Sequence, residues 1–123
     1  GSPNYRDDPA YIDQFLTEAW VARRINNPHV VKFLDPPENR QCLYCVTEYV
    51  NGPTLREWMN DHPQPEPAKV RDIVRQIASG LRALHRLEMI HQDLKPENIV
   101  IDQDGTVKII DLGAVRIRGI ELD

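Results

Sequence analysis

The sequence predicts an α+β fold, and three observations point to it. Apolar residues recur at helical spacing near 8–26, 54–60 and 68–87, short β-branched runs follow the first helix and gather again after Met89, and Pro, Gly, Asn and Asp clusters separate these segments. The 123 residues, 41% hydrophobic and 28% charged, fit an ordinary soluble globular composition with room for one modest core.

The first helix is announced by "RDDPAYIDQFLTEAWVARRINN": Asp8 is a candidate N-cap, Pro9 suits the first helical position, and Tyr11, Phe15, Ala19 and Ala22 share one face. This helix is expected to end near Asn26, before Pro28. "HVVKFL" then reads as a strand, "DPPENRQ" as a turn, and "CLYCVTEYV" as a second strand. Asn51-Gly52-Pro53 marks a chain reversal or linker, its glycine free to take positive φ and its proline unable to continue a ladder. "TLRE" is a capping box in which Thr54 and Glu57 satisfy each other's amides, opening a short helix to about Asn60. After the proline-rich "DHPQPEP" comes the longest helix, about Ala68 to Leu87, with Val70, Ile73, Val74, Ile77, Leu81 and Leu84 as its expected buried stripe. "MI", "NIVI" and "VKII" are brief strands, the last two joined through "DQDG" as a hairpin with Gly105 in the left-handed conformation.

A net charge of -4 and a pI near 5.5 leave no overall basic footprint, so no nucleic-acid partner is expected, nor an anionic membrane. No apolar run approaches the roughly 20 residues that cross a bilayer and no signal-peptide pattern opens the chain, so the expected location is cytoplasmic. Gly1 and Ser2 read as a cloning scar. The two cysteines, Cys42 and Cys45, lie three apart on an expected strand and so point to opposite faces, which makes them packing residues rather than a metal or disulfide pair.

The chemistry concentrates in "HQDLKPENIVIDQDGTVKIIDLG". Asp93 could accept a proton, Lys95 could sit over a developing anion, and Asn98 offers a neutral oxygen suited to a hard cation. Asp111 follows a strand and stands close to a glycine, where a carboxylate could serve as a magnesium ligand whose shell is completed by waters and phosphates.

In order and spacing, "HQDLKPENIVID" with "VKIIDLG" closely resembles the catalytic and metal-binding loops of eukaryotic-type protein kinases, H-R-D-x-K-x-x-N and D-F-G. "FLTEAWVARRINNPHVVKFLD" is similar to the helix that holds the family's ion-pairing glutamate, and "LYCVTEYVNGPTLREWM" looks like the hinge entering the lower lobe. "Asp-Leu-Lys-Pro-Glu-Asn" is the serine/threonine form, and the nearest resemblance is to bacterial members. The resemblance implies a partial protein-kinase-like fold, with a partial small lobe over 3–50 and a partial large lobe over 51–123. It implies ATP and Mg²⁺ as cofactors and a protein bearing Ser or Thr as substrate. Asp93 becomes the base, Lys95 the stabiliser of the transferring phosphate, and Asn98 and Asp111 the Mg²⁺ ligands. Thr47 takes the gatekeeper position, Glu48 and Val50 offer backbone groups to adenine, Glu18 is the ion-pairing glutamate, and His91 and Leu112 pack in an internal hydrophobic column.

The sequence departs from the family pattern in three places. No G-x-G-x-x-G is present and no lysine precedes Glu18, so the chain is expected to be the middle portion of a kinase domain, inactive by itself and prone to self-association through uncovered apolar faces. Gln92 replaces the arginine that grips a phosphorylated activation loop in many relatives, and Leu112 replaces phenylalanine. A non-catalytic binding module of pseudokinase type is the alternative, against which the presence of Asp93, Asn98 and Asp111 together argues.

Overall fold

The structure, a computed structural model, describes residues 20, 22–34, 46–111 and 115–117. Glu18, Leu112, both cysteines and most of the first expected helix lie outside the described residues. Trp20 and Ala22 are helical, but the Ile25 amide donates to the Ala22 carbonyl in a tight turn, so this helix ends at Ala22 and not near Asn26.

Among the described residues, two helices and six short strands follow. β1 (Phe33–Leu34) pairs antiparallel with β2 (Val46–Thr47). "HVVKFL" thus contributes only two strand residues; Val30 instead forms an isolated parallel bridge with Ile109. The short helix α1 (Leu55–Asp61) begins as expected, with Thr54 Oγ1 accepting from the Glu57 amide and Glu57 Oε1 accepting from the Thr54 amide. α2 (Pro67–Arg86) starts on Pro67, whose missing N–H costs nothing in the first turn. β3 (Met89–His91) pairs antiparallel with β6 (Val115–Ile117), and β4 (Ile99–Ile101) with β5 (Val107–Ile109). The β4–β5 hairpin closes through Gly105 at φ 88°.

α2 spans both core clusters: Leu84 packs with Ala22, Ile25, Val30 and Met89, whereas Ile73 packs with Ile99, Ile101 and Val107. Its buried face differs from the expected stripe. Ile73 and Leu84 are buried, but Val70 and Val74 are exposed, and Gln76 and Gly80 occupy the interior instead. Gln76 is admitted because every polar atom of its amide is used: Oε1 accepts from the Val107 amide at 2.8 Å, while Nε2 donates to Asp72 and to the Gly105 carbonyl. Gly80 is admitted because a Cβ there would stand 2.8 Å from the His29 carbonyl oxygen. This close approach brings the 29–31 segment onto β5, where the Val31 amide donates to the Ile109 carbonyl and the Ile109 amide to that of His29.

Gly52 works in the same way. The expectation of positive φ there is not met; a Cβ would instead collide with the Ile101 carbonyl oxygen at 1.8 Å. The bare backbone is what lets 52–54 lie against β4, where the Ile101 amide donates to the Pro53 carbonyl and Thr54 bridges Val100.

Candidate active site

β3 and β4 hold the two ends of the loop 91–98, so their pairing partners decide where its side chains sit. His91, the last residue of β3, joins this loop to the segment after β5. The Asp93 amide donates to His91 Nδ1 at 3.1 Å, which requires a lone pair on that nitrogen, so Nε2 bears the proton and donates to the Asp111 carbonyl at 2.7 Å. The imidazole is therefore a neutral linker between the backbones of Asp93 and Asp111. To its expected packing role the structure adds a hydrogen-bonding one.

Pro96–Asn98 forms a single 3₁₀ turn, in which the Asn98 amide donates to the Lys95 carbonyl. Asn98 is only 8% exposed. Its Nδ2 donates to the Asp93 carbonyl at 3.0 Å, and its own carbonyl accepts from the Ile110 amide. The carboxamide is thus oriented, with Oδ1 as the remaining acceptor. Lys95 Nζ lies 3.4 Å from Asp93 Oδ2, both side chains about half exposed. Such an exposed pair adds little stability, but it holds an ammonium beside the carboxylate.

Four of the residues singled out in the sequence, Asp93, Lys95, Asn98 and Asp111, are therefore brought together by backbone and side-chain hydrogen bonds. A fully protein-built metal cage is absent: among the described residues no three His, Cys, Asp or Glu side chains converge. An oriented amide oxygen and one carboxylate do fit Mg²⁺, which takes few protein oxygens and leaves its other positions to water and phosphate.

The segment 48–50 lies beyond β2. Thr47 and Tyr49 are exposed, and Val50 is half-buried. The Glu48 side chain turns away from solvent: Oε1 accepts from Lys108 Nζ at 2.8 Å and from the Lys32 amide at 3.0 Å. The Lys108 ammonium first, and the Lys32 amide after it, hold the Glu48 carboxyl below its ordinary range against the opposing effect of desolvation. Glu97, on the 3₁₀ turn, is held below its ordinary range by its own amide and then by Arg56 of α1, whose Nε donates to it at 3.0 Å.

Sequence reading missed Lys108, Arg56 and Gln76. Lys108 gave no clear signal, because its buried neighbours in "VKII" point to the opposite face of the strand. Nothing in the sequence pointed to Arg56 or Gln76, whose partners are distant along the chain.

A loop whose Asp, Lys and Asn are cross-linked through a histidine to an Asp-Leu-Gly strand end defines a kinase-like centre. The family comparison agrees, since the protein kinase domain model matches residues 3–119, and the chain belongs to that family. It is 34% identical over 110 residues to serine/threonine-protein kinase PrkC of Bacillus subtilis, covering 89% of this chain and 17% of that protein. To serine/threonine-protein kinase PknL of Mycobacterium tuberculosis it is 37% identical over 112 residues, covering 91% and 28%. The probable serine/threonine-protein kinase PknB of Lactococcus lactis is 31% identical over 113 residues, covering 92% and 18%. The chain thus spans between 17% and 28% of the length of these relatives.

Proposed function

We propose that this chain is the catalytic segment of a serine/threonine protein kinase that transfers the γ-phosphate of ATP to Ser or Thr hydroxyls of proteins. The observation that supports it most is the His91 linkage, which ties the backbone of Asp93 to that of Asp111. The bacterial relatives' names point the same way.

In this reading Asp93 accepts or orients the proton of the attacking hydroxyl, and Lys95 neutralises charge on the phosphoryl oxygens as they move. Asn98 Oδ1 and the Asp111 carboxylate would hold Mg²⁺, which would supply neutralisation of the phosphate charge. Adenine rests on backbone groups of Glu48 and Val50 beside Thr47, and Glu18 serves as the ion-pairing glutamate of the preceding helix. Positioning and charge neutralisation supply most of the catalysis in phosphoryl transfer. The 123-residue chain by itself is proposed to be inactive and to self-associate through its exposed apolar side chains.

The test is transfer of labelled γ-phosphate to a mixed Ser/Thr-containing protein substrate by the protein as its gene encodes it. Replacing the base, Asp93→Asn, should lower turnover by about a thousandfold, in the range general-base loss produces. Asp111→Asn should remove the magnesium-dependent part of nucleotide binding. Retention of wild-type turnover in Asp93→Asn would sink the assignment.

A further inference from the structure

The Lys108–Glu48 pair is unlike the other ion pairs among the described residues. Arg56–Glu97, Arg75–Asp72 and Lys95–Asp93 all have side chains more than a third exposed, whereas Lys108 is 17% and Glu48 31% exposed. Lys108 sits mid-strand in β5, opposite Val100 and between buried Val107 and Ile109. Its ammonium reaches a residue 60 positions earlier.

Both ends of this link lead to the proposed nucleotide site. Glu48 begins the 48–50 segment, and its amide and carboxylate are both bound to Lys32, the amide by donating to the Lys32 carbonyl and the carboxylate by accepting the Lys32 N–H. Lys108 stands three residues before Asp111 on a strand held on one side by β4 and on the other by the 29–31 segment. A rigid β5 therefore carries the metal-ligating end, and the lysine reaches from that strand to the adenine end.

We propose that Lys108 is a positioning residue for nucleotide binding: through Glu48 it fixes the hinge backbone relative to the strand that delivers Asp111. The inference rests on the nucleotide-binding reading above. Losing the lysine charge leaves a partly buried carboxylate without its cation, so the 48–50 backbone shifts and the base is held less well than the phosphates.

The test is a titration of the gene-encoded protein with fluorescent N-methylanthraniloyl ADP and GDP in Mg²⁺, for wild type, Lys108→Met, Lys108→Arg, Glu48→Gln and the Lys108→Met/Glu48→Gln pair. Lys108→Met keeps the stem and should weaken ADP binding by about fivefold while changing GDP, whose base offers a different edge, by less than about twofold. Glu48→Gln should do the same, the double variant should be no worse than either single one, and Lys108→Arg should return ADP affinity to within about twofold of wild type. Equal losses for both nucleotides, additive effects of the two changes, or unaltered ADP affinity in a folded Lys108→Met would each overturn the proposal. Should Lys108→Met fail to fold, Glu48→Gln and Lys108→Arg decide on the same criteria. A wild type that binds ADP without transferring phosphate would refute the kinase reaction alone, and one that binds neither nucleotide would refute both.

Discussion

Gly52 shows what one missing side chain permits. The added Cβ of Gly52→Ala would meet the Ile101 carbonyl oxygen at 1.8 Å and its carbon at 2.9 Å, both backbone atoms of a paired strand that cannot swing aside. The hydrogen bond from the Ile101 amide to the Pro53 carbonyl would stretch with the displacement. Gly52→Ala should therefore cost about 3 kcal/mol, the upper part of the range for overpacking, read by urea unfolding. Gly105 has open space around its Cβ position, yet its φ of 88° makes it sensitive for an unrelated reason. That Asp93, Lys95, Asn98 and Asp111 belong to one cluster was legible because short loops with fixed spacing hold them. The histidine's linking role was not, since it depends on the end of β3 facing the Asp111 backbone, 20 residues later.

At the scale of elements, periodicity found both helices but turned α2 slightly on its axis. Counting apolar residues chose Val70 and Val74 for the interior, while the structure buries Gln76 and Gly80. A polar amide and a glycine are invisible to a hydrophobic count, although hydrogen bonding and close backbone approach make them suitable interior residues. The end of α2 supplies a prediction. Glu88 follows the C-cap with φ 58°, a left-handed conformation that strains any residue with a Cβ, and its amide closes the helix by donating to the His85 carbonyl. Glu88→Gly should raise stability by about 1 kcal/mol in denaturant unfolding, the scale of the left-handed penalty. A loss of stability there would show that the Glu88 side chain contributes contacts that outweigh the strain.

The junction between β1–β2 and β5 gives a prediction about pH. Glu48 has its folded-state carboxyl pulled below the ordinary range chiefly by Lys108, so the folded chain holds that proton less readily than the unfolded chain. Its contribution to stability is then complete above the ordinary glutamate value of about 4.3 and is lost as pH falls through the lower folded-state value. Denaturant midpoints measured from about pH 6 down to pH 3 should fall less steeply for Glu48→Gln than for the wild type across that window. Identical slopes would mean that Lys108 does not stabilise the ionised carboxylate. This link was hidden in the sequence because its partners come from separate sheets.

For the molecule as a whole, the order of helices and strands from β1 to β5 was legible from turn chemistry, and so was the β4–β5 hairpin, whereas β6 was not expected. The pairing of β3 with β6 was not legible either, because apolar runs of three residues are too brief to declare a register. Uncovered apolar faces were expected, but not which side chains they would expose. Val70 is 38% and Val74 58% exposed, one turn apart on the outer face of α2, and Ile90, Leu94, Met59 and Tyr49 are exposed elsewhere. Apolar side chains adjacent on a helix form a patch that water disfavours, and a second copy of the chain is the partner always present. The 123-residue chain should therefore associate reversibly in sedimentation equilibrium, with dissociation constants on the order of tens of micromolar, a free energy that a small apolar contact supplies. A double change, Val70→Glu with Val74→Glu, places charges at exposed helical positions where glutamate has good helix propensity. It should shift the chain toward monomer while leaving the melting temperature of the monomer within a few degrees. A wild-type chain that stays monomeric up to millimolar concentration, or a double variant that associates as strongly as the wild type, would rule out this face of α2 as the contact.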